Sequence, residues 1–150
     1  MEYLPGDPAP HFNLKDPGGR PVMLYDFFEK AAVVLAFFSA AEPERAGALA
    51  AALQREAEGF RAAGVETLGI VSEPADDARR FVERHGLTFT VLADDDRSVS
   101  REFGAEPGSA ADPPLLFVID RRGDVRWVAR AVDPATLRDS VLAAVGDGDR

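Results

Sequence analysis

The chain contains no cysteine in 150 residues. Only a thiolate serves as the sulfur nucleophile of disulfide exchange or peroxide reduction, so that chemistry is closed to its own side chains. Disulfide staples are excluded as well. Lysine is almost absent, with Lys15 and Lys30 the only two, so arginine carries nearly all the positive charge. Against 17 basic residues stand 26 acidic ones, a formal net charge of -9 that repels phosphate backbones and anionic lipid headgroups. Neither nucleic acid nor a membrane surface is expected as a partner. The longest apolar run, residues 31–38, is far too short to span a bilayer. The first ten residues lack the basic and apolar regions of a secretory signal, so a cytoplasmic protein is expected.

What is present describes a layered α/β domain. Phe12 to Lys15 and Val22 to Leu24 read as short strands joined through Asp16-Pro17-Gly18-Gly19, an N-terminal hairpin. Val33 to Phe38 is continuously apolar, as a strand covered on both faces must be. Leu49, Leu53, Ala57 and Phe60 then recur at the helical period between Glu44 and Ala63, with Pro43 at the start and Gly64 at the end. Val65 to Val71 predicts a second buried strand.

A helix opening at Ser72 and Pro74 carries Ala78, Phe81, Val82 and His85 on one face and closes at Gly86. Thr90 to Leu92 predicts a short strand and Ser98 to Phe103 a short helix. The Gly, Ala and Pro content of residues 106–114 predicts a loop. Leu115 to Ile119 and Val125 to Arg130 predict a hairpin, with Val125, Trp127 and Ala129 on one face by strict alternation. Asp133 and Pro134 are expected to begin a last helix, with Leu137, Val141 and Val145 on its buried stripe. One domain over residues 1–145 and a short flexible tail over 146–150 are expected.

Four segments, in order, carry a family resemblance. Gly6-Asp7-x-Ala9-Pro10-x-Phe12-x-Leu14, Asp16-x-x-Gly19-x-Pro21-Val22-x-Leu24, Gly86-Leu87-x-Phe89-x-Val91-Leu92-x-Asp94 and Phe117-x-Ile119-Asp120-x-x-Gly123 resemble the alkyl hydroperoxide reductase and thiol-specific antioxidant (AhpC/TSA) family of peroxiredoxins. The bacterioferritin-comigratory type and the TlpA-like oxidoreductases are the nearest in flavour. The resemblance implies a thioredoxin-like fold in its peroxiredoxin variant: a central mixed β-sheet flanked by helices, preceded by a β-hairpin.

It also implies where chemistry would sit. On the family pattern PxxxTxxC the proline position is Ser39, the threonine position Pro43 and the peroxidatic cysteine position Ala46, while the peroxide-holding arginine falls on Pro114. All four are replaced. Against the thioredoxin-like WCPPC pattern the two cysteine positions become Glu42 and Arg45, and Pro114 takes the place of the cis-proline. A cis bond shaping a partner groove and an ordinary loop proline beside Pro113 are both open readings. Loss of several neighbours together reads as natural degeneration rather than a single engineered knock-out.

No other motif supplies a catalyst. His85 reads as a capping or packing residue and His11 as solvated, and neither belongs to a metal cluster. Asp94-Asp95-Asp96 fails the EF-hand pattern, with Val99 and Ala105 at the glycine and glutamate positions, and reads as a solvated acidic turn. Phe37, Phe38 and Trp127 read as core or interface aromatics. The expectation is a cysteine-free pseudoenzyme with no catalytic residue, no cofactor and no metal. Its former active-site face would bind a protein or peptide, and a homodimer is a further expectation. The alternative is an antioxidant oxidoreductase that uses a non-protein thiol or a cofactor.

Overall fold

A seven-residue strand in which every side chain is buried, β3 (Ala32–Phe38), organises the fold. Ala32, Val34, Ala36 and Phe38 face one hydrophobic core, and Val33, Leu35 and Phe37 face a second. Two covered faces are why the strand is apolar without alternation. The computed structural model describes residues 6–39, 42–106 and 114–148.

Among them the order is β1 (Asn13–Lys15), β2 (Pro21–Met23), a 3-10 turn (Leu24–Phe27), β3, α1 (Pro43–Ala62), β4 (Val65–Val71) and α2 (Ala75–His85). Then come β5 (Thr90–Ala93), α3 (Ser98–Glu102), β6 (Leu116–Ile119), β7 (Val125–Ala129) and α4 (Leu137–Gly148). The seven strands form one mixed sheet in the order β2-β1-β5-β4-β3-β6-β7. β3 runs parallel to β4 and antiparallel to β6, so it lies inside the sheet as its composition predicts. Helices α1, α2 and α4 cover the first core, while α3 and the 3-10 turn cover the second. This is the thioredoxin-like α/β fold, with the hairpin β1–β2 at one edge.

The hairpin turn is built as its residues require. The Asp16 carboxylate accepts from the backbone N–H groups of Gly18 and Arg20, both at 2.9 Å, and Gly19 takes a φ of 89° that favours glycine. Leu24 is not the last strand residue but the first of the 3-10 turn.

Three further expectations need correction. Val125 does not share a face with Trp127 and Ala129. A bulge pairs Val118 with Trp127 but Ile119 with Val125, so Arg126 is the extra residue and the alternation changes phase there. Val125 therefore enters the second core, while Trp127 and Ala129 meet the first. The Asp120 carboxylate, almost fully buried, accepts from the Arg126 side chain at 2.7 Å and from the backbone N–H groups of Arg122 and Asp124.

The last helix begins at Leu137, not at Pro134. Asp133 caps a preceding turn by accepting from the N–H of Ala135 at 3.0 Å. Leu137, Val141 and Val145 do form the buried stripe. Helix α4 runs to Gly148, and residues 149–150 of the expected tail lie outside the described residues.

The triplet of aspartates is only partly solvated. Asp94 is fully buried and accepts from the N–H groups of Val99 and Ser100 and from the Ser100 hydroxyl, which tie the turn to α3. Asp95 and Asp96 are exposed. The backbone N–H of Ser98, 3.0 Å from Asp96, and then the Ser98 hydroxyl hold the Asp96 carboxyl below its ordinary value.

Candidate functional site

The corner between β3 and α1 gathers the residues singled out in the sequence. Ser39 follows β3 directly, and its carbonyl accepts from the N–H of Glu42 at 3.2 Å. Glu42 is the residue before the helix, Pro43 its first position and Glu44 an acid of its first turn. That arrangement suits the partial positive charge of a 20-residue helix, with proline where no N–H is needed. Arg45 reaches away from the helix: it pairs with Glu42 at 3.1 Å and donates to the Arg130 carbonyl at 2.8 Å. The guanidinium therefore clamps the first turn of α1 to the end of β7.

Ala46 is 6% exposed and faces the first core. Its methyl group occupies the position that the resemblance assigns to a sulfur nucleophile, and it has no proton to lose. Pro114 is buried just before β6. Carrying the β3–β6 register two residues past Ala36 and Leu116 brings it abreast of Phe38, beside the same corner. The Pro113–Pro114 bond lies outside the described residues. Ser39, Glu42, Pro43, Arg45 and Ala46 thus follow one another around the β3–α1 corner, and Pro114 lies opposite the end of β3.

Sequence reading missed the open space beside them. A cleft of about 450 Å³ lies between the start of α1 and the length of α2. Its apolar side is a row of rings: Phe38 lies 4.9 Å from Phe81, which lies 4.6 Å from His85. His85 in turn rests on Gly47, where a Cβ would come within 3.0 Å of its Cε1. The two histidines are accordingly placed apart, His85 half-buried in the cleft wall and His11 exposed with its ring edge on Tyr25 at 5.5 Å. The signal in the sequence was the i, i+4 pair Phe81 and His85, which shares a helix face.

Carboxylates and guanidinium groups rim the cleft, namely Glu44, Glu73 and Asp77 against Arg80 and Arg84. On the other flank of α1 a smaller cavity of about 220 Å³ is lined by Arg45, Leu49, Leu115, Val132 and Pro134 among others. Among the described residues no three His, Asp or Glu side chains converge as metal ligands, and no helix is long and apolar enough to cross a membrane.

Sheet order, the flanking helices and the strand-to-helix corner define a thioredoxin-fold protein of the peroxiredoxin kind that lacks the nucleophile. The chain belongs to the AhpC/TSA family, which it matches over residues 5–128. It is 35% identical to peroxiredoxin Bcp of Escherichia coli (strain K12) over 144 residues, covering 91% of this chain and 92% of that one. It is 34% identical to the chloroplastic peroxiredoxin Q of Sedum lineare over 125 residues, 82% of this chain and 67% of that protein. Across the plant relatives the chain spans 57 to 67% of their length. The crystal structure of peroxidoxin BcpB from Mycobacterium tuberculosis superposes with a TM-score of 0.81 at 24% identity, covering 97% of this chain and 98% of that one, a likeness of fold.

Proposed function

We propose that this protein is a binding module that occupies a peroxiredoxin scaffold without thiol peroxidase or disulfide-exchange activity. The observation that carries the reading is the contrast at one corner. Ala46 stands buried where the family pattern puts sulfur, yet the adjoining cleft remains open and walled by aromatic rings. A cleft of that size, with an aromatic wall and a charged rim, can take a small ligand or an anchoring side chain of a peptide. Net charge argues for a protein or peptide occupant over nucleic acid.

A photo-crosslinking residue at position 39, compared with one at the distant Glu56, tests the reading in host cells. Adducts are expected only from the corner, and filling the cleft by Ala46→Leu should reduce them at least about tenfold, as loss of an anchoring pocket does. Adducts equal at both positions, or unaffected by Ala46→Leu in a variant that still folds, would overturn it. Thiol-dependent turnover abolished by Glu42→Gln or Arg45→Ala would favour an oxidoreductase that borrows an external thiol.

A further inference from the structure

We propose a second binding site, independent of the corner: a cavity under the last turns of α1 that holds a hydroxyl-bearing molecule, water or a small polyol, hydrogen-bonded to the buried Thr67. The cavity measures about 230 Å³ and is lined by Ala57, Arg61, Glu66, Thr67, Thr88 and Phe89 among others. Ala57 lies about 21 Å along α1 from Pro43, so the site is remote from the cleft at the start of the helix.

Thr67 is the anomaly that points to a ligand. By alternation β4 turns Val65, Thr67, Gly69 and Val71 to one side, and Val65 and Val71 belong to the first core. The strand register sets Thr67 beside Val34, a fully buried member of the same core. Valine would fill the same volume there without a polar atom. Thr67 is instead 5% exposed, and its Oγ1, sealed from solvent, has no hydrogen-bond partner. Among the described residues it is the only buried side-chain nitrogen or oxygen left so. Burying a hydroxyl strips it of water, and the loss is ordinarily made good by another partner.

That partner is supplied from the cavity that Thr67 helps to line. One staggered step about χ1 exchanges its hydroxyl and methyl groups at constant volume, so the hydroxyl can be presented to the cavity without repacking the strand. A second hydroxyl stands on the same wall. The N–H of the exposed Thr88 donates to Gln54 Oε1 at 2.9 Å, which orients the amide, and Gln54 Nε2 donates to Thr88 Oγ1 at 2.7 Å. The Thr88 hydroxyl is therefore the acceptor in that bond and keeps its own proton to give. A ligand hydroxyl is the smallest group that answers either threonine, because it accepts a proton and donates one. Water and a polyol such as glycerol share that chemistry.

Thr67→Val tests the proposal by the sign of its effect, since the substitution removes the hydroxyl and keeps the shape. A hydroxyl without a partner makes the valine protein the more stable of the two, whereas a hydroxyl bonded to a bound molecule makes it the less stable. Urea denaturation of the full chain should show the folded-to-unfolded ratio lowered about fivefold in Thr67→Val, the usual worth of one hydrogen bond. In the parent, magnetisation transfer should reach the Thr67 methyl from a long-lived water. Alternatively, in added glycerol, it should come from glycerol, with the parent gaining more stability than Thr67→Val. The first result identifies water as the occupant and the second a polyol. A valine protein as stable as the parent or more so, or no transfer to Thr67 from either molecule, would overturn the proposal.

Discussion

Adding one methyl group at Gly69 should push an aromatic ring into the cleft. Gly69 lies in the middle of β4, paired with Ala36 on one side and Val91 on the other. A Cβ built there comes 2.7 Å from Cε2 of Phe38 and 3.3 Å from Cε1 of Phe89. Carbon atoms prefer about 3.5–4.0 Å, so the Phe38 ring must retreat by about 1 Å. Phe38 is 1% exposed, and the open space beside it is the cleft it lines with Phe81.

Overpacking of this kind costs about 1–3 kcal/mol. Removing a glycine from a strand offsets about 0.5–1 kcal/mol of that through the unfolded chain. Gly69→Ala should therefore destabilise by about 1–2 kcal/mol, a fall in melting temperature of about 2–8 °C for a chain of this length. Urea denaturation, with circular dichroism or Trp127 fluorescence as the signal, should show a lower midpoint at an unchanged slope. Adding Phe38→Leu should recover part of the loss, because the two sites share one volume. A Gly69→Ala protein as stable as the parent, with no coupling to Phe38→Leu, would refute the packing argument.

Other substitutions test other links. Arg126→Ala leaves the Asp120 carboxylate buried with only backbone donors and should cost about 3 kcal/mol in the same denaturation assay, whereas Asp120→Asn with Arg126→Met should cost less. Arg45→Ala should cost less than about 1 kcal/mol, since its pair with Glu42 is exposed, but should raise amide exchange in the first turn of α1 by freeing the Arg130 carbonyl. Because the Asp96 carboxyl is held below its ordinary value when folded, its contribution is complete at neutral pH and is lost on acidification through that lowered value. The stability difference between Asp96→Asn and the parent should therefore vanish in acid, which denaturation at stepped pH would reveal. Ala46→Cys should give one thiol that reacts with a disulfide reagent more slowly than an exposed cysteine at Ala48, because position 46 faces the core.

The architecture was readable wherever one physical signal ruled. β3 announced itself by unbroken apolar residues, and α1 by period, Pro43 and Gly64. Alternation failed at β7 because a bulge inserts Arg126, and the benefit of that bulge is an ion pair to Asp120 that no local pattern encodes. Asp94 was misread for the same reason, since its donors at Val99 and Ser100 depend on the turn that follows. At the site, the replaced positions were visible as letters, from Ser39 to Ala46 and Pro114. The cleft was not, because it is made by α2 leaning its Phe81 and His85 rings on Phe38 and Gly47 across the fold. Likewise the bond from Arg45 to Arg130 joins residues 85 apart.

Loss of sulfur chemistry from the inherited corner is most directly tested by peroxide consumption. The purified chain, incubated with hydrogen peroxide or an alkyl hydroperoxide and excess dithiothreitol, should consume peroxide no faster than dithiothreitol alone. Consumption that rises in proportion to the protein, survives repurification and saturates with peroxide would contradict the account.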